Sequence, residues 1–340
     1  MWSWWRSSPA ASASLSPSQA LAAMHPIDRL ASVMIRHGPR RLRVFPGGWG
    51  DAAAIAQLDD VQGLRSTPHD ISITWAAATY RADRTTRDGS FAAITEVPAA
   101  ARTATVRLIE PSGGTDRLCL LMAAWNDHGY DTRQILADEL IVHGIGSLIL
   151  EIPYYGSRRT VAAGEQPIQT VGDFALMGMG AVSEGRALLN HFRGEYQMGV
   201  SGYSMGGNIG ALVGASAGFP VAMAPLAAAH SPGPVFLDGA ISKGICWEAL
   251  GGREAATSLR ETLSAASALR LPSPPWSSVA VLVAAESDGF IPTTAVLQLH
   301  HHWTGSELRW HRGGHATLLW RRRAVLARAI VDSFARLGAL

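Results

Sequence analysis

A serine flanked by glycines carries the strongest chemical signal in the sequence. Residues 202–206 read Gly-Tyr-Ser-Met-Gly, which places Ser204 at the centre of a G-x-S-x-G pattern. In this pattern a buried strand ends, the serine occupies a strained turn, and a helix begins at once, so the hydroxyl is presented as a nucleophile. Residues 196–200 predict the strand and residues 205–217 predict a helix of small residues. A purely structural glycine-rich turn is the alternative interpretation.

A serine hydroxyl is a weak nucleophile at neutral pH, so it needs an imidazole to accept its proton and an acid to orient that imidazole. Where the serine lies in such a turn, the chain order is Ser, then Asp or Glu, then His. Asp288 follows a strand predicted at 279–284, and His315 lies between the last predicted strand and the last predicted helix. Glu286 is the alternative acid and His311 the alternative base. Asp288 could instead cap the helix that follows it.

Acyl transfer also needs two donors for the oxyanion of the tetrahedral intermediate. One predicted donor is the backbone N–H of Met205, which follows the serine at the start of its helix. The second is predicted from the loop after the apolar run 118–123, at Trp125, with Asn126 as the alternative.

The elements around these residues predict the fold class. Strands alternate with helices through residues 118–340, which indicates an α/β fold with a mainly parallel sheet and helices on both faces. Residues 228–277 are irregular and rich in proline, and this predicts a cap over the site. We therefore predict a single domain over residues 25–340 with that cap as an insertion.

Four further elements are predicted outside the motif. Ile27, Leu30, Met34 and Ile35 have helical spacing, so a short amphipathic helix is expected there. Strands are expected at 71–76 and 91–97, and one final helix at about 316–337.

Composition excludes several classes of function. The chain is 47% hydrophobic and 16% charged with a net charge of +2, which fits a large core and gives no case for a nucleic-acid partner. Its two cysteines cannot form a disulfide framework, so a reducing, intracellular compartment is expected. The uncharged run 196–237 contains the serine motif and several prolines, which favours buried structure over a transmembrane span. The consecutive histidines 300–302 do not have the spacing of a metal site.

Residues 1–24 are rich in Trp, Ser and Ala and contain one arginine and no acid. This composition predicts either a disordered tail or a targeting segment, and leaves mitochondrial and cytoplasmic locations both open. Trp2, Trp4 and Trp5 raise the hypothesis of peripheral membrane contact.

Several short motifs together resemble the α/β-hydrolase domain-containing protein 18 family. They are segments 48–51, 127–128, 153–156, 199–207, 238–243, 288 with 291–292, and 313–315. This resemblance spans roughly residues 45–337 and implies an α/β-hydrolase fold. It also implies that Ser204, Asp288 and His315 occupy the positions of a catalytic triad.

Two classes of function follow from these observations. The first is a serine hydrolase that cleaves a lipid or other acyl ester through an acyl-enzyme, without a metal or organic cofactor. An acyltransferase or thioesterase would use the same residues and differ in the acceptor of the acyl group. The second class is a non-catalytic scaffold that binds a lipid or a protein, since a fold does not dictate a function.

Overall fold

Ten strands of the described residues form one sheet. The computed structural model describes residues 24–37, 42–60, 63–162 and 164–340, so all of the predicted tail except Met24 lies outside the described residues. In chain order the strands are β1 Thr74–Trp75, β2 Thr79–Tyr80, β3 Arg84–Ala92, β4 Thr103–Pro111, β5 Arg117–Met122, β6 Gly146–Glu151, β7 Gln197–Tyr203, β8 Ala222–Leu226, β9 Val281–Ala285 and β10 Glu307–His311. Their order across the sheet is β1-β3-β4-β6-β5-β7-β8-β9-β10, and β2 pairs with β3.

Neighbouring strands are parallel along the run β6-β5-β7-β8-β9-β10, whereas β1 to β4 pair antiparallel with one another and β4 pairs antiparallel with β6. The central strands are apolar and buried on both faces, which is the pattern of strands covered by helices on either side. The mainly parallel α/β architecture predicted from the sequence is therefore confirmed.

Helices precede, connect and follow these strands. They are α1 Pro26–His37, α2 Ala52–Ala56, α3 Asp131–Ile141, α4 Val171–Phe192, α5 Met205–Ala215, α6 Pro232–Asp238, α7 Ala256–Ala265, α8 Thr293–His302, α9 His315–Arg321 and α10 Arg323–Leu337. Around the central strands, α4 packs with α5 and α3 packs with α10. No helix of the described residues has both the length and the apolar character needed to cross a membrane.

The strand predicted at 91–97 is wrong, because the strand lies at Arg84–Ala92 instead. Its charged residues hide it from a search for apolar runs, but a strand in an antiparallel part of a sheet can expose one face to solvent. Asp88 of this strand lies opposite Arg107 of β4, and Arg107 Nε donates to its carboxylate at 2.7 Å. Cross-strand ion pairing therefore accompanies the pairing of a segment that hydrophobicity alone does not mark.

The final helix differs from its prediction as well. The structure has two helices, α9 and α10, which separate at Arg322, where φ is −128° and ψ is 25°. The sequence at the break contains neither glycine nor proline, and nothing in it signals the interruption.

The segment 228–277 contains α6, α7 and several short 3₁₀ turns, and α6 packs against α7. Pro232, Val235 and Phe236 of α6 line a cavity together with Ser204. The assignment of this segment as a cap inserted in a single domain stays a prediction.

Candidate active site

Ser204 lies in a strained turn between β7 and α5. Its φ of 57° and ψ of −118° are unusual for a residue with a side chain, and its backbone N–H donates to Leu226 O at 2.8 Å. The flanking residues must be glycine because a larger side chain would clash with the backbone. A Cβ at Gly202 would lie 2.5 Å from the backbone of Gly206, and one at Gly206 would lie 2.3 Å from Met122 O. Ser204 therefore lies at a turn whose tight backbone does not accommodate side chains on Gly202 and Gly206.

Asp288 and His315 form a hydrogen-bonded pair. His315 Nδ1 lies 2.8 Å from Asp288 Oδ2, and the Asp288 side chain is only 3% exposed. The other carboxylate oxygen accepts the backbone N–H groups of Phe290 and Ile291, each at 2.8 Å. These two bonds fix the carboxylate, which in turn fixes the plane and tautomer of the imidazole.

The pairing arises because β9 and β10 are parallel neighbours, so the loops that follow them leave the same edge of the sheet. The loops are joined by bonds from Glu286 N to His311 O at 2.9 Å and from Ser287 N to Gly313 O at 3.0 Å. Both alternatives considered for the acid–base pair lie elsewhere. Glu286 is exposed, and His311 is the last residue of β10.

The imidazole of His315 lies beside the turn that carries the serine. The Tyr203 ring is 4.9 Å from it, centroid to centroid, and the Tyr203 hydroxyl donates to His315 O at 2.5 Å. Among the described residues, no hydrogen bond joins His315 Nε2 to Ser204 Oγ. The structure thus pairs Asp288 with His315 and places the pair next to the turn that carries Ser204. A hydrogen bond between a catalytic base and its nucleophile commonly forms only when substrate binds.

Electrostatics favour the protonated form of this imidazole. Burial opposes protonation, but the negative charge and hydrogen bond of Asp288, together with the charge of Asp28, outweigh it and raise the pKa of His315. Asp28 was not singled out from the sequence. It is the only acid among the first fifty residues and falls within the predicted amphipathic helix, and those two features were the available signal.

The residues of the two predicted oxyanion donors, Met205 and Trp125, line one cavity together with Ser204. Neither backbone N–H has an acceptor among the described residues. The alternative donor, Asn126, is already engaged, because its N–H donates to the Tyr155 hydroxyl at 3.2 Å.

The cavity is mainly apolar, although Asn208 and Ser231 also line it. Its walls are formed mainly by aromatic and aliphatic side chains, namely Trp125, Phe174, Val235, Phe236, Ile241 and Ile291. The Trp125 and Phe236 rings pack edge to face with centroids 5.4 Å apart. Such a surface suits the hydrocarbon part of a ligand.

The histidines at 300–302 are engaged in local contacts. His300 Nδ1 lies 2.9 Å from Ser306 Oγ, and His302 Nε2 lies 2.8 Å from Leu271 O. Within the part of the chain that the structure describes, no three His, Cys, Asp or Glu residues cluster as metal ligands would.

A mainly parallel sheet, a strained serine after β7 and an Asp–His pair after β9 and β10 define an α/β-hydrolase fold. Residues 42–273 and 253–336 match the profile of the family described as alpha/beta hydrolase domain containing 18. The chain belongs to this family, as its motifs indicate.

Solved esterase structures share the fold. The acetyl xylan esterase from Paenibacillus sp. R4 is 13% identical, with a TM-score of 0.58 over 93% of this chain and 99% of its own. Acetyl xylan esterase 1 from Thermoanaerobacterium sp. JW/SL YS485 is 14% identical, with a TM-score of 0.55 over 86% and 96% of the two chains. Est1E from Butyrivibrio proteoclasticus is 14% identical, with a TM-score of 0.51 over 72% and 98%.

Proposed function

We propose that the protein hydrolyses a carboxylic ester through an acyl-enzyme, with Ser204 as nucleophile, His315 as base and Asp288 as its orienting acid. The observation that carries this proposal is the 2.8 Å bond from His315 Nδ1 to Asp288. It commits one ring nitrogen and leaves Nε2 to serve the strained serine turn beside it.

The reaction proceeds in two steps, formation of the acyl-enzyme and its hydrolysis. Ser204 Oγ attacks the ester carbonyl carbon while His315 Nε2 takes its proton, and the oxyanion is held by the N–H groups of Met205 and Trp125. The C–O bond to the alcohol breaks, and the imidazolium returns the proton to the leaving oxygen. Water then attacks the acyl-enzyme with His315 again as base, which releases the acid and restores the serine. Asp288 stays ionised throughout.

The cavity walls support an apolar acyl group as the part of the substrate that binds there. Phe174, Val235 and Phe236 offer no charge to a polar substituent. A lipid ester is therefore the proposed substrate class. An acetyl ester, as the names of two structural neighbours would suggest, is the competing one. p-Nitrophenyl esters of increasing chain length separate them, since a strong preference for acetate contradicts the lipid-ester proposal.

Turnover of such an ester by matched serine variants tests the proposal. Ser204→Ala should lose about 10⁴- to 10⁶-fold in kcat because the nucleophile is gone. Ser201→Ala is the control, since this buried hydroxyl three residues earlier donates only to Ala224 O at 2.6 Å. It should keep kcat within a few-fold. Retained turnover in Ser204→Ala, with wild-type contamination excluded, contradicts the proposal and favours another nucleophile, whereas absence of turnover in the wild type favours a non-catalytic scaffold.

A further inference from the structure

A buried carboxylate of the N-terminal helix binds the loops that carry both Asp288 and His315. Asp28 lies near the start of α1 and has no exposed surface. Its Oδ2 accepts the backbone N–H of His315 at 2.7 Å and that of Gly289 at 3.0 Å. Its Oδ1 accepts the N–H of Ala316 at 3.1 Å. The Asp28 side chain therefore links Gly289, the residue after Asp288, to His315 and Ala316.

These bonds are strong for their type, because the acceptor carries a full charge and lies out of water. A buried carboxylate without partners would be costly, and here three amides replace its hydration. In the part of the chain that the structure describes, Asp28 makes no hydrogen bond to the imidazole ring of His315 or to the Asp288 carboxylate. Its effect on the pair acts through the backbone and through its charge.

The packing around this contact leaves little room for movement. A Cβ at Gly314 would lie 2.4 Å from Asp28 Oδ2, and one at Gly289 would lie 2.6 Å from Met24. His25 N also donates to Ser287 O at 3.0 Å. The start of α1 therefore meets both loops at a distance that only glycine permits.

We infer that Asp28 is a positioning residue that holds the loop of Asp288 and the loop of His315 in one fixed arrangement. The inference rests on the proposed function. It extends the site to a helix outside residues 42–336, the part of the chain matched by the family profile. The reacting atoms never touch Asp28.

The chemistry of the side chain distinguishes this role from simple packing. Asparagine has one acceptor oxygen, so Asp28→Asn cannot satisfy N–H groups on both sides of the carboxylate and turns its own NH₂ toward an amide donor. It also removes a negative charge near the imidazole of His315. The titratable groups in contact with this imidazole are then the Asp288 carboxylate and the Tyr203 phenol, and the Cβ of His25 lies close to Gly314, the residue before His315.

The test compares the full-length wild type with Asp28→Asn and with Ser32→Ala. Ser32 is the matched control, since it is buried one turn further along α1 and accepts a bond from Lys243 Nζ at 2.6 Å rather than from the amides of either loop. Displacing a catalytic group by about 1 Å costs on the order of 100-fold. We therefore expect Asp28→Asn to lower kcat about 10- to 100-fold with little change in KM, and Ser32→Ala to stay within about threefold.

The pH profile separates positioning from damage to the fold. With Asp28 neutral, the pKa of His315 falls, so the acidic limb of kcat/KM moves to lower pH. That limb can be measured by the rate of fluorophosphonate labelling on whatever fraction of Asp28→Asn is folded. The inference is overturned if the acidic limb of Asp28→Asn lies at the wild-type pH, or if Asp28→Asn and Ser32→Ala lose kcat equally.

Two NMR measurements judge the inference even if the protein turns over no ester. The His315 imidazole should titrate at lower pH in Asp28→Asn than in wild type. In the wild type, the amides of Gly289, His315 and Ala316 should exchange slowly with solvent, and this requires no variant. Equal titration or rapid exchange contradicts the role of Asp28. Absence of esterase turnover with both results as expected contradicts the proposed function alone.

Discussion

Two buried ionic pairs in this molecule have opposite characters. Arg158 donates to both carboxylate oxygens of Glu184 at 2.7 Å, and their side chains are 1% and 0% exposed. The same guanidinium also donates to Ala101 O and Glu151 O, so each of its three nitrogens has an acceptor. Burial raises the pKa of Glu184 although Arg158 opposes the shift.

The pair of Asp288 and His315 is bonded as closely but is incomplete. One carboxylate oxygen of Asp288 accepts two backbone N–H groups and the other binds His315, whereas the imidazole uses Nδ1 only and its side chain is 13% exposed. A saturated pair can do no more than hold elements together, while a pair with a spare nitrogen can accept a proton. We therefore assign the first pair to stability and propose the second for chemistry.

The largest effect is expected from removing the nucleophile and the base. Ser204→Ala and His315→Ala should each lower kcat about 10⁴- to 10⁶-fold, and the double variant should be little slower than either, because such residues act as a unit. Turnover of a p-nitrophenyl ester by the three variants measures this. Multiplicative losses in the double variant would show that the two residues act independently.

Asp288→Asn should cost somewhat less, about 10⁴-fold in kcat, because the imidazole loses its orientation but remains present. Asp238→Asn is a suitable control, since that carboxylate forms an exposed ion pair with Arg260. It should leave kcat unchanged. Equal activity of Asp288→Asn and wild type would move the acid role to another carboxylate.

Breaking the saturated pair should damage stability instead. Glu184→Gln leaves the buried charge of Arg158 uncompensated, and the free energy of unfolding should fall by about 3–5 kcal/mol. Urea titration followed by fluorescence measures the loss. The molecules that remain folded should keep wild-type turnover. A large drop in their kcat would remove the distinction between the two pairs.

The pH dependence of the incomplete pair has a defined sign. Since the pKa of His315 is raised, kcat/KM should fall with decreasing pH through a value above the 6.5 of an ordinary histidine. The same shift stabilises the folded protein below the unfolded-state pKa, and this stabilisation is lost as pH rises through the folded-state pKa. The difference in unfolding free energy between wild type and His315→Gln should therefore be larger at acidic than at alkaline pH. The reverse order would contradict the raised pKa.

The smallest effect is expected from removing residues 1–23, whose Ser- and Ala-rich composition predicts a tail dispensable for folding and hydrolysis. Turnover should stay within about a factor of two to three and the midpoint of unfolding should not change. Loss of folding in this variant would show that the segment belongs to the domain.

The sequence is most informative where local chemistry and periodicity agree. The strand, the strained Ser204 and the helix after it follow from glycine spacing and an apolar run. The acid and base candidates follow from chain order and from the parallel sheet, which brings consecutive loops to one edge. Both rest on general rules that need no knowledge of distant contacts.

Sequence reasoning fails where tertiary contact decides, and α1 is the clearest case. Its apolar spacing suggests that Leu30 and Met34 face the core, yet they are 61% and 56% exposed. The buried side of the helix instead carries Asp28 and Ser32, because backbone amides and Lys243 offer them partners. Helical periodicity cannot reveal that Asp28 accepts hydrogen bonds from backbone amides of loops more than 250 residues away in the chain.

Fluorophosphonate labelling of Asp288→Asn and Glu184→Gln in parallel tests the assignment of the two pairs most directly. The labelling rate is divided by the folded fraction, and the adduct is located by peptide mass. We expect the adduct on Ser204, a rate far below wild type in Asp288→Asn, and an unchanged rate per folded molecule in Glu184→Gln. An adduct on another serine, or equal losses in both variants, would contradict the assignment.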